Sequence, residues 1–236
     1  GKIHFRERIP TPANYESLLR AVADLGRTIA NQSGALMRLG IGMPGSESPA
    51  TGLVRNSNTT FLNGKPLGRD LEAAFGAPVR LANDANCFAL SEALGGAGAG
   101  ASSVFGVILG TGCGGGVVID CKLFNGANGI AGEWCQMPLP WQTGEEYPGA
   151  QCWCGRKGCQ EVWLSGTGLE ADYKRLSGAE IDGKEIAALV ANGDPTAQKT
   201  LDRLSDRLAR ALSVIAMAFD PEVIVLGGGV SNIESI

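Results

Sequence analysis

Apolar residues recur along this chain at two spacings that follow one another in turn. Ile3 and Phe5 alternate with polar neighbours through residues 2–8, which predicts an opening strand, and Tyr15, Leu18, Leu19, Val22, Leu25 and Ile29 then fall on one face of a helix. The run Leu39–Met43 ends at Pro44 and Gly45, as a buried strand entering a turn would, and that turn carries Ser46. A helix over Leu67–Phe75 stopped by Gly76 precedes a strand over Val79–Ala82, and Asn83 and Asp84 open a helix running through Phe88, Leu90 and Leu94. Val104–Leu109 and Val117–Ile119 predict a hairpin with a glycine-rich tip. Helices follow over Glu185–Val190 and Thr196–Phe219, the second with Leu201, Leu204, Leu208, Leu212 and Ile215 on its apolar face. A last apolar strand, Val223–Leu226, runs into Gly227, Gly228 and Gly229. Strands alternating with helices in this order predict an α/β fold with helix-covered sheets.

Composition narrows the function classes. With 44% hydrophobic and 19% charged residues the 236-residue chain reads as an ordinary globular protein. A net charge of −4 with no basic run argues against nucleic acid as a partner. No apolar stretch approaches the roughly 18–20 residues of a membrane span, and the opening GKIHFRER has no apolar signal core, so a cytoplasmic location with no membrane partner is expected. The single histidine, His4, falls in the opening strand and is expected to be structural. Acid or base chemistry must then rest on carboxylates, unless a cysteine takes part.

Four places carry candidate chemistry. CWCGRKGC, residues 152–159, gathers Cys152, Cys154 and Cys159 around Gly155 and Gly158, which is the spacing of a tetrahedral metal knuckle with one ligand still to come from elsewhere. The seven cysteines are an odd number, and three sit at knuckle spacing, so metal binding is favoured over a disulfide framework, with Cys87, Cys113 and Cys121 read as small buried thiols. GTGCGGG, from Gly110 to Gly116, leaves backbone N–H groups open to an anion and adds the Thr111 hydroxyl, although a tight turn accounts for the same residues; the Gly227–Gly229 triplet is a second such place. Asp84, between Asn83 and Asn86, is either a helix cap or a carboxylate at the positive end of a helix dipole, placed to take a proton from a hydroxyl. Glu133 and Glu161, on either side of the knuckle, suit the hydroxyls of a sugar.

In order, IGMPGS (41–46), NSNTTFLNG (56–64), LANDANCFALSEA (81–93), LGTGCGGG (109–116), AGEWCQMPLPW (131–141), CWCGRKGCQE (152–161) and VIVLGGG (223–229) resemble the ROK family of bacterial sugar kinases and sugar-responsive repressors. The stretch GSESPATGLVRNSNTTFLNG and the PLPW segment resemble its fructokinase, or mannofructokinase, branch. The resemblance implies an actin-like, hexokinase-like (ribonuclease H-like) two-lobed α/β fold, with residues 1–83 in one lobe, 84–236 in the other, and a zinc-knuckle loop inserted at about 131–161. It implies ATP and Mg²⁺, a small sugar as the other substrate, a homodimer, and phosphorylation of D-fructose to fructose 6-phosphate; N-acetylglucosamine or glucose phosphorylation and a sugar-sensing regulator without turnover are the alternatives. Asp84 matches the catalytic base, Asn58, Asn83, Glu133 and Glu161 the sugar ligands, and Gly110, Thr111, Gly112, Gly227, Gly228 and Gly229 the nucleotide contacts.

Two departures are visible. Cys152, Cys154 and Cys159 match three zinc ligands, but Gln136 stands where the family's fourth, a histidine, is expected. Gln136 is then a candidate sugar contact, and zinc is expected to be held by the three cysteines with Cys135 or water fourth, the rival being a lapsed site braced by hydrogen bonds or a disulfide. The family's N-terminal Asp-x-Gly-Gly-Thr-Lys loop is absent from these residues, and the sequence reads as truncated at both ends.

Overall fold

The computed structural model describes residue 3 and residues 5–33 and 38–233, and the chain divides into two compact units. The first comprises Gly1–Asp84 with Ala127–Gly129; the second comprises Ala85–Gly126 with Ile130–Ile236.

In the first unit, helix α1 (Tyr15–Ser33) and helix α2 (Leu67–Phe75) cover a parallel pair of strands, β1 (Leu39–Met43) and β4 (Val79–Asn83). A small antiparallel ribbon, β2 (Ser46–Glu47) with β3 (Val54–Arg55), stands beside them. Tyr15, Met43, Val54, Leu62, Leu67, Leu71 and Val79 form the core, which is why the 3.6-residue spacing of α1 was readable. Helix α2 stops as expected at Gly76, whose φ of 79° is a left-handed cap that costs glycine nothing. Among the described residues of 2–8 the expected opening strand is not there. Residues 5–10 are exposed and carry no strand, because alternation makes a strand only where a neighbour supplies the ladder, and none of the described residues does so. His4 lies outside the described residues.

The second unit is built on a four-stranded sheet of order β7–β6–β5–β8, formed by β5 (Ser103–Leu109), β6 (Cys113–Ile119), β7 (Lys122–Leu123) and β8 (Val223–Gly227). β5 runs antiparallel to β6 and parallel to β8. Helix α3 (Asp84–Gly95) lays Ala85, Ala89 and Ala93 against it. That contact explains two glycines of the run, Gly114 and Gly116, as well as Gly106 in β5. A Cβ on Gly106 or Gly116 would come within 2.6 or 2.9 Å of the Ala89 methyl, and one on Gly114 within 2.9 Å of Ala85. Gly114–Gly116 therefore belong to strand β6 and not to the hairpin tip, which is only Gly110–Gly112.

Helices α4 (Glu161–Leu164), α5 (Gly166–Ser177), α6 (Gly183–Ala191) and α7 (Pro195–Phe219) pack into the main core of this unit. Asp182 and Glu185 form a capping box on α6, and Asp194 caps α7 just before Pro195. No helix among the described residues is long and apolar enough to cross a membrane.

Candidate functional site

Asp84 is the first residue of α3 and follows directly on Asn83, the last residue of β4. Asn83 pairs in register with Met43, so both parallel strands of the first unit end where Asp84 begins, the end of such strands at which ligands gather. The adjoining turn is held tightly: Asn83 Nδ2 donates to the Gly45 carbonyl (3.2 Å), and Gly45, at φ 78°, has the Ser57 amide 2.7 Å from where a Cβ would stand. Asn58 lies exposed in the next loop, anchored through its neighbour. Buried Ser57 exchanges backbone bonds with the Asn63 side chain (3.0 and 2.9 Å), and its hydroxyl accepts from the Thr59 amide.

In the second unit the parallel pair β5 and β8 ends in register at Ile108 and Gly227, which brings the Gly110–Gly112 tip beside the glycine triplet. A cavity of about 710 Å³ opens there, lined by Gly110, Thr111, Gly166, Thr167, Glu170, Asp182, Lys184, Gly229 and Asn232 among others. Of the six candidate nucleotide contacts, Gly110, Thr111 and Gly229 line it. The other three have different reasons to be glycine. Gly227 clears the Phe88 ring, Gly228 passes against the Leu109 backbone at φ 92°, and Gly112 lies beside Glu161 Oε1, 3.2 Å from where a Cβ would stand. Sequence reasoning missed the far wall. Ser165 caps α5 by accepting from the Gly168 amide (3.1 Å), so the helix presents its N-terminal Gly166 and Thr167 to the cavity, the end that favours anions. The Ser-Gly-Thr-Gly run at 165–168 was the available signal.

The segment carrying Glu133 is stitched onto β6. Trp134 is buried, donates its indole N–H to the Gly114 carbonyl (3.0 Å) and meets Phe105 edge-on, while Gly132 approaches the Gly115 backbone too closely for any side chain. Cys135 forms a disulfide with Cys113, the first residue of β6. This corrects two expectations. Cys135 is bound toward the sheet and is not available as a fourth zinc ligand, and Cys113 is not a free buried thiol. Cys87 and Cys121 are exposed, not buried.

Cys152, Cys154 and Cys159 do come together, with all three sulfurs within 4.8 Å of one another and Cys152 and Cys159 buried. Gly155 (φ 89°) and Gly158 (φ 68°) supply the left-handed turns that wrap the loop around them. Burial, reinforced by hydrogen bonds with Cys154 and Cys152, pushes the Cys159 thiol up to about 12, whereas hydrogen bonds from the Arg156 amide, Cys152 and Cys159 outweigh burial and lower the Cys154 thiol. Three soft donors gathered in one small cluster fit zinc. Gln136, at the position of the family's histidine, donates its Nε2 to Glu161 Oε2 (2.8 Å). The Trp153 indole N–H donates to the same oxygen (3.0 Å). Burial raises the Glu161 carboxyl above its ordinary value, and these two donors oppose that shift.

The family model for ROK proteins matches residues 1–236. The chain belongs to the ROK family. An N-acetyl-D-glucosamine kinase of Vibrio atlanticus (strain LGP32) is 40% identical over 235 residues, 98% of this chain and 78% of that protein. Among ROK structures, a hexokinase from Thermus thermophilus superposes with a TM-score of 0.80 at 33% identity, covering 94% of this chain and 73% of its own. A glucokinase from Streptomyces griseus, in complex with glucose and AMPPNP, gives 0.78 at 29% identity, covering 95% and 75%. The fold is thus the actin-like, hexokinase-like α/β fold of ROK proteins. The fructokinase branch expected from the Gly45–Gly64 stretch and the PLPW segment is not what the similar proteins point to: relatives at 40–42% identity over 235 residues are N-acetyl-D-glucosamine kinases.

Proposed function

We propose that this ROK protein transfers the γ-phosphoryl group of ATP to a hexose, with N-acetyl-D-glucosamine as the favoured acceptor and glucose next. The observation that carries the reading is Asp84, a carboxylate opening a helix where two parallel strands end and beside a loop anchored by Asn83. In this reading Asp84 accepts the proton of the attacking sugar hydroxyl as its oxygen bonds to the γ-phosphorus and the bond to ADP breaks. Asn58, Asn83, Glu133 and Glu161 hold the sugar hydroxyls. Gly110 and Thr111, with Gly166, Thr167 and Gly229, receive the nucleotide, the N-terminus of α5 favouring its phosphates. Mg²⁺ bound with ATP supplies neutralising charge.

An ADP-release assay on the full-length protein over a hexose panel tests the reading. The expected result is the highest kcat/KM with N-acetyl-D-glucosamine, then glucose, and little turnover of fructose. ADP release independent of every sugar would overturn it.

Zinc, on this reading, is structural: Cys152, Cys154 and Cys159 hold it, with water as the fourth ligand, and it fixes the loop that carries Trp153. Freshly purified protein is expected to contain about one zinc per chain, and strong chelation to expose Cys152, Cys154 and Cys159 to a thiol reagent. Metal-free protein in which all five free cysteines react would show that the site has lapsed.

A further inference from the structure

Glu161 has one oxygen occupied and one presented. Oε2 accepts two hydrogen bonds, from Gln136 Nε2 (2.8 Å) and Trp153 Nε1 (3.0 Å), whereas Oε1 stands against Gly112, where no side chain obstructs it. A carboxylate alone could rotate about its last torsion and offer either oxygen. Two donors converging on one oxygen remove that freedom, and they come from different parts of the fold. Gln136 sits on the segment bound to β6, next to the Cys113–Cys135 disulfide. Trp153 lies between the first two cysteines of the knuckle, so its backbone is fixed by the cluster's own turn, in which Cys152 donates its amide to the Arg156 carbonyl (2.8 Å). The carboxylate is further set by its backbone, since the Glu161 amide donates to the Cys135 carbonyl (3.0 Å).

Trp153 is 53% exposed, which is costly for the largest apolar side chain and gives it no part in a core. Its polar tip, not its ring, is what the structure uses. Gln136 is suited to the same task for a chemical reason: its amide N–H donates toward a carboxylate whatever the pH, without being a metal ligand.

We propose that Trp153 and Gln136 are positioning residues that lock Glu161 with Oε1 turned outward, and that this lock sets the affinity for sugar. The inference rests on the reading of Glu161 as a sugar ligand. It makes the knuckle more than a brace, because the residue between its cysteines reaches the carboxylate that takes the sugar hydroxyl.

The test is the full-length Trp153→Phe protein, which keeps a ring and loses the N–H donor, compared with the unsubstituted protein. Sugar binding is measured calorimetrically without ATP, and steady-state kinetics with it. Expected are a roughly fivefold to tenfold loss of N-acetyl-D-glucosamine affinity and a matching rise in its KM, with kcat within about twofold and the KM for ATP and the melting temperature unchanged. Gln136→Ala should act in the same direction. In a Glu161→Ala background Trp153→Phe should add nothing further, because its target is gone. The indole N–H resonance of Trp153, assigned by its loss in Trp153→Phe, should move in Glu161→Ala without any ligand. Unchanged sugar affinity in Trp153→Phe overturns the proposal, and so does a loss that comes with a lower melting temperature and a raised KM for ATP, which marks a structural role. Binding is read apart from turnover. A protein that binds sugar in a Trp153-dependent way but never releases ADP therefore supports this inference while refuting the kinase reading; one that binds no sugar refutes both.

Discussion

Asp84→Asn should lower kcat by roughly 10²- to 10⁴-fold, the usual contribution of a positioned general base, while sugar affinity stays within a few-fold. The substitution keeps the size and hydrogen-bonding reach of the side chain and removes its capacity to take a proton. Removing one negative charge from the first turn of α3 costs only about 0.3–1 kcal/mol, so the helix should remain intact and the melting temperature should fall only slightly. Single-turnover kinetics separate the two readings of this residue. If it is the base, the chemical step slows and binding is spared. If it is only a helix-start residue, Asp84→Asn turns over at a near-normal kcat, and the site must take its proton elsewhere.

Arg207→Ala should destabilise the folded protein by about 3–5 kcal/mol, the range for breaking a buried ion pair and leaving charge without its partner. Arg207 is 1% exposed; its Nε donates to Glu146 Oε1 (2.8 Å) and its Nη1 to Asp172 Oδ2 (2.5 Å), and its guanidinium lies 4.5 Å from the centre of the Trp163 ring. Arg210 adds a bond to Glu146 and two more to the carbonyls of Pro140 and Trp141. The network thus fastens the 138–146 segment and helix α4, which begins with Glu161, to helix α7. Loss of Arg207 should therefore weaken sugar binding as well as stability, read by urea unfolding beside calorimetry. Where that variant fails to fold, Glu146→Gln gives a milder form of the same test.

The same network predicts a pH dependence. Burial alone would raise the Glu146 carboxyl, but hydrogen bonds from Arg210, Arg207 and the Thr143 amide outweigh it and hold the group down to about 2. Asp172 is likewise held below its ordinary value despite burial, mainly by Arg207 and Arg175. Depressed carboxyls bind fewer protons folded than unfolded, so their stabilisation is complete above the ordinary carboxylate range and is lost as the pH falls from there toward 2. The unfolding midpoint should fall over that window in the unsubstituted protein and fall less steeply in Glu146→Gln.

Legibility followed the side chains. Helices α1 and α7 bury one face each, so their apolar spacing reported both, α7 to within one residue and α1 as far as Ile29, four residues short of its end. The first half of strand β6 was misread as part of the hairpin tip because Gly114–Gly116 carry no hydrophobic signal, although Gly114 and Gly116 are glycine for the sake of packing against Ala85 and Ala89. Helix α5 went unseen because it opens Gly-Thr-Gly, a poor helix start rescued by the Ser165 cap and by packing on α7. The cysteines of the knuckle announced themselves by spacing. Cys113 and Cys135, 22 residues apart, pair only because the Trp134 segment lies on β6, which no spacing encodes. The Trp153 and Gln136 bonds to Glu161 were hidden for a related reason, since neither residue type signals a carboxylate partner in advance.

Sugar-dependent ADP release by the full-length protein, measured with N-acetyl-D-glucosamine and Mg²⁺–ATP in parallel with the Asp84→Asn variant, tests the central claim most directly. The account predicts release that rises to saturation with the sugar, one ADP for each phosphorylated sugar, and that all but vanishes in the variant. Saturable sugar binding with no ADP released by the unsubstituted protein would contradict it and leave a sugar sensor in place of a kinase.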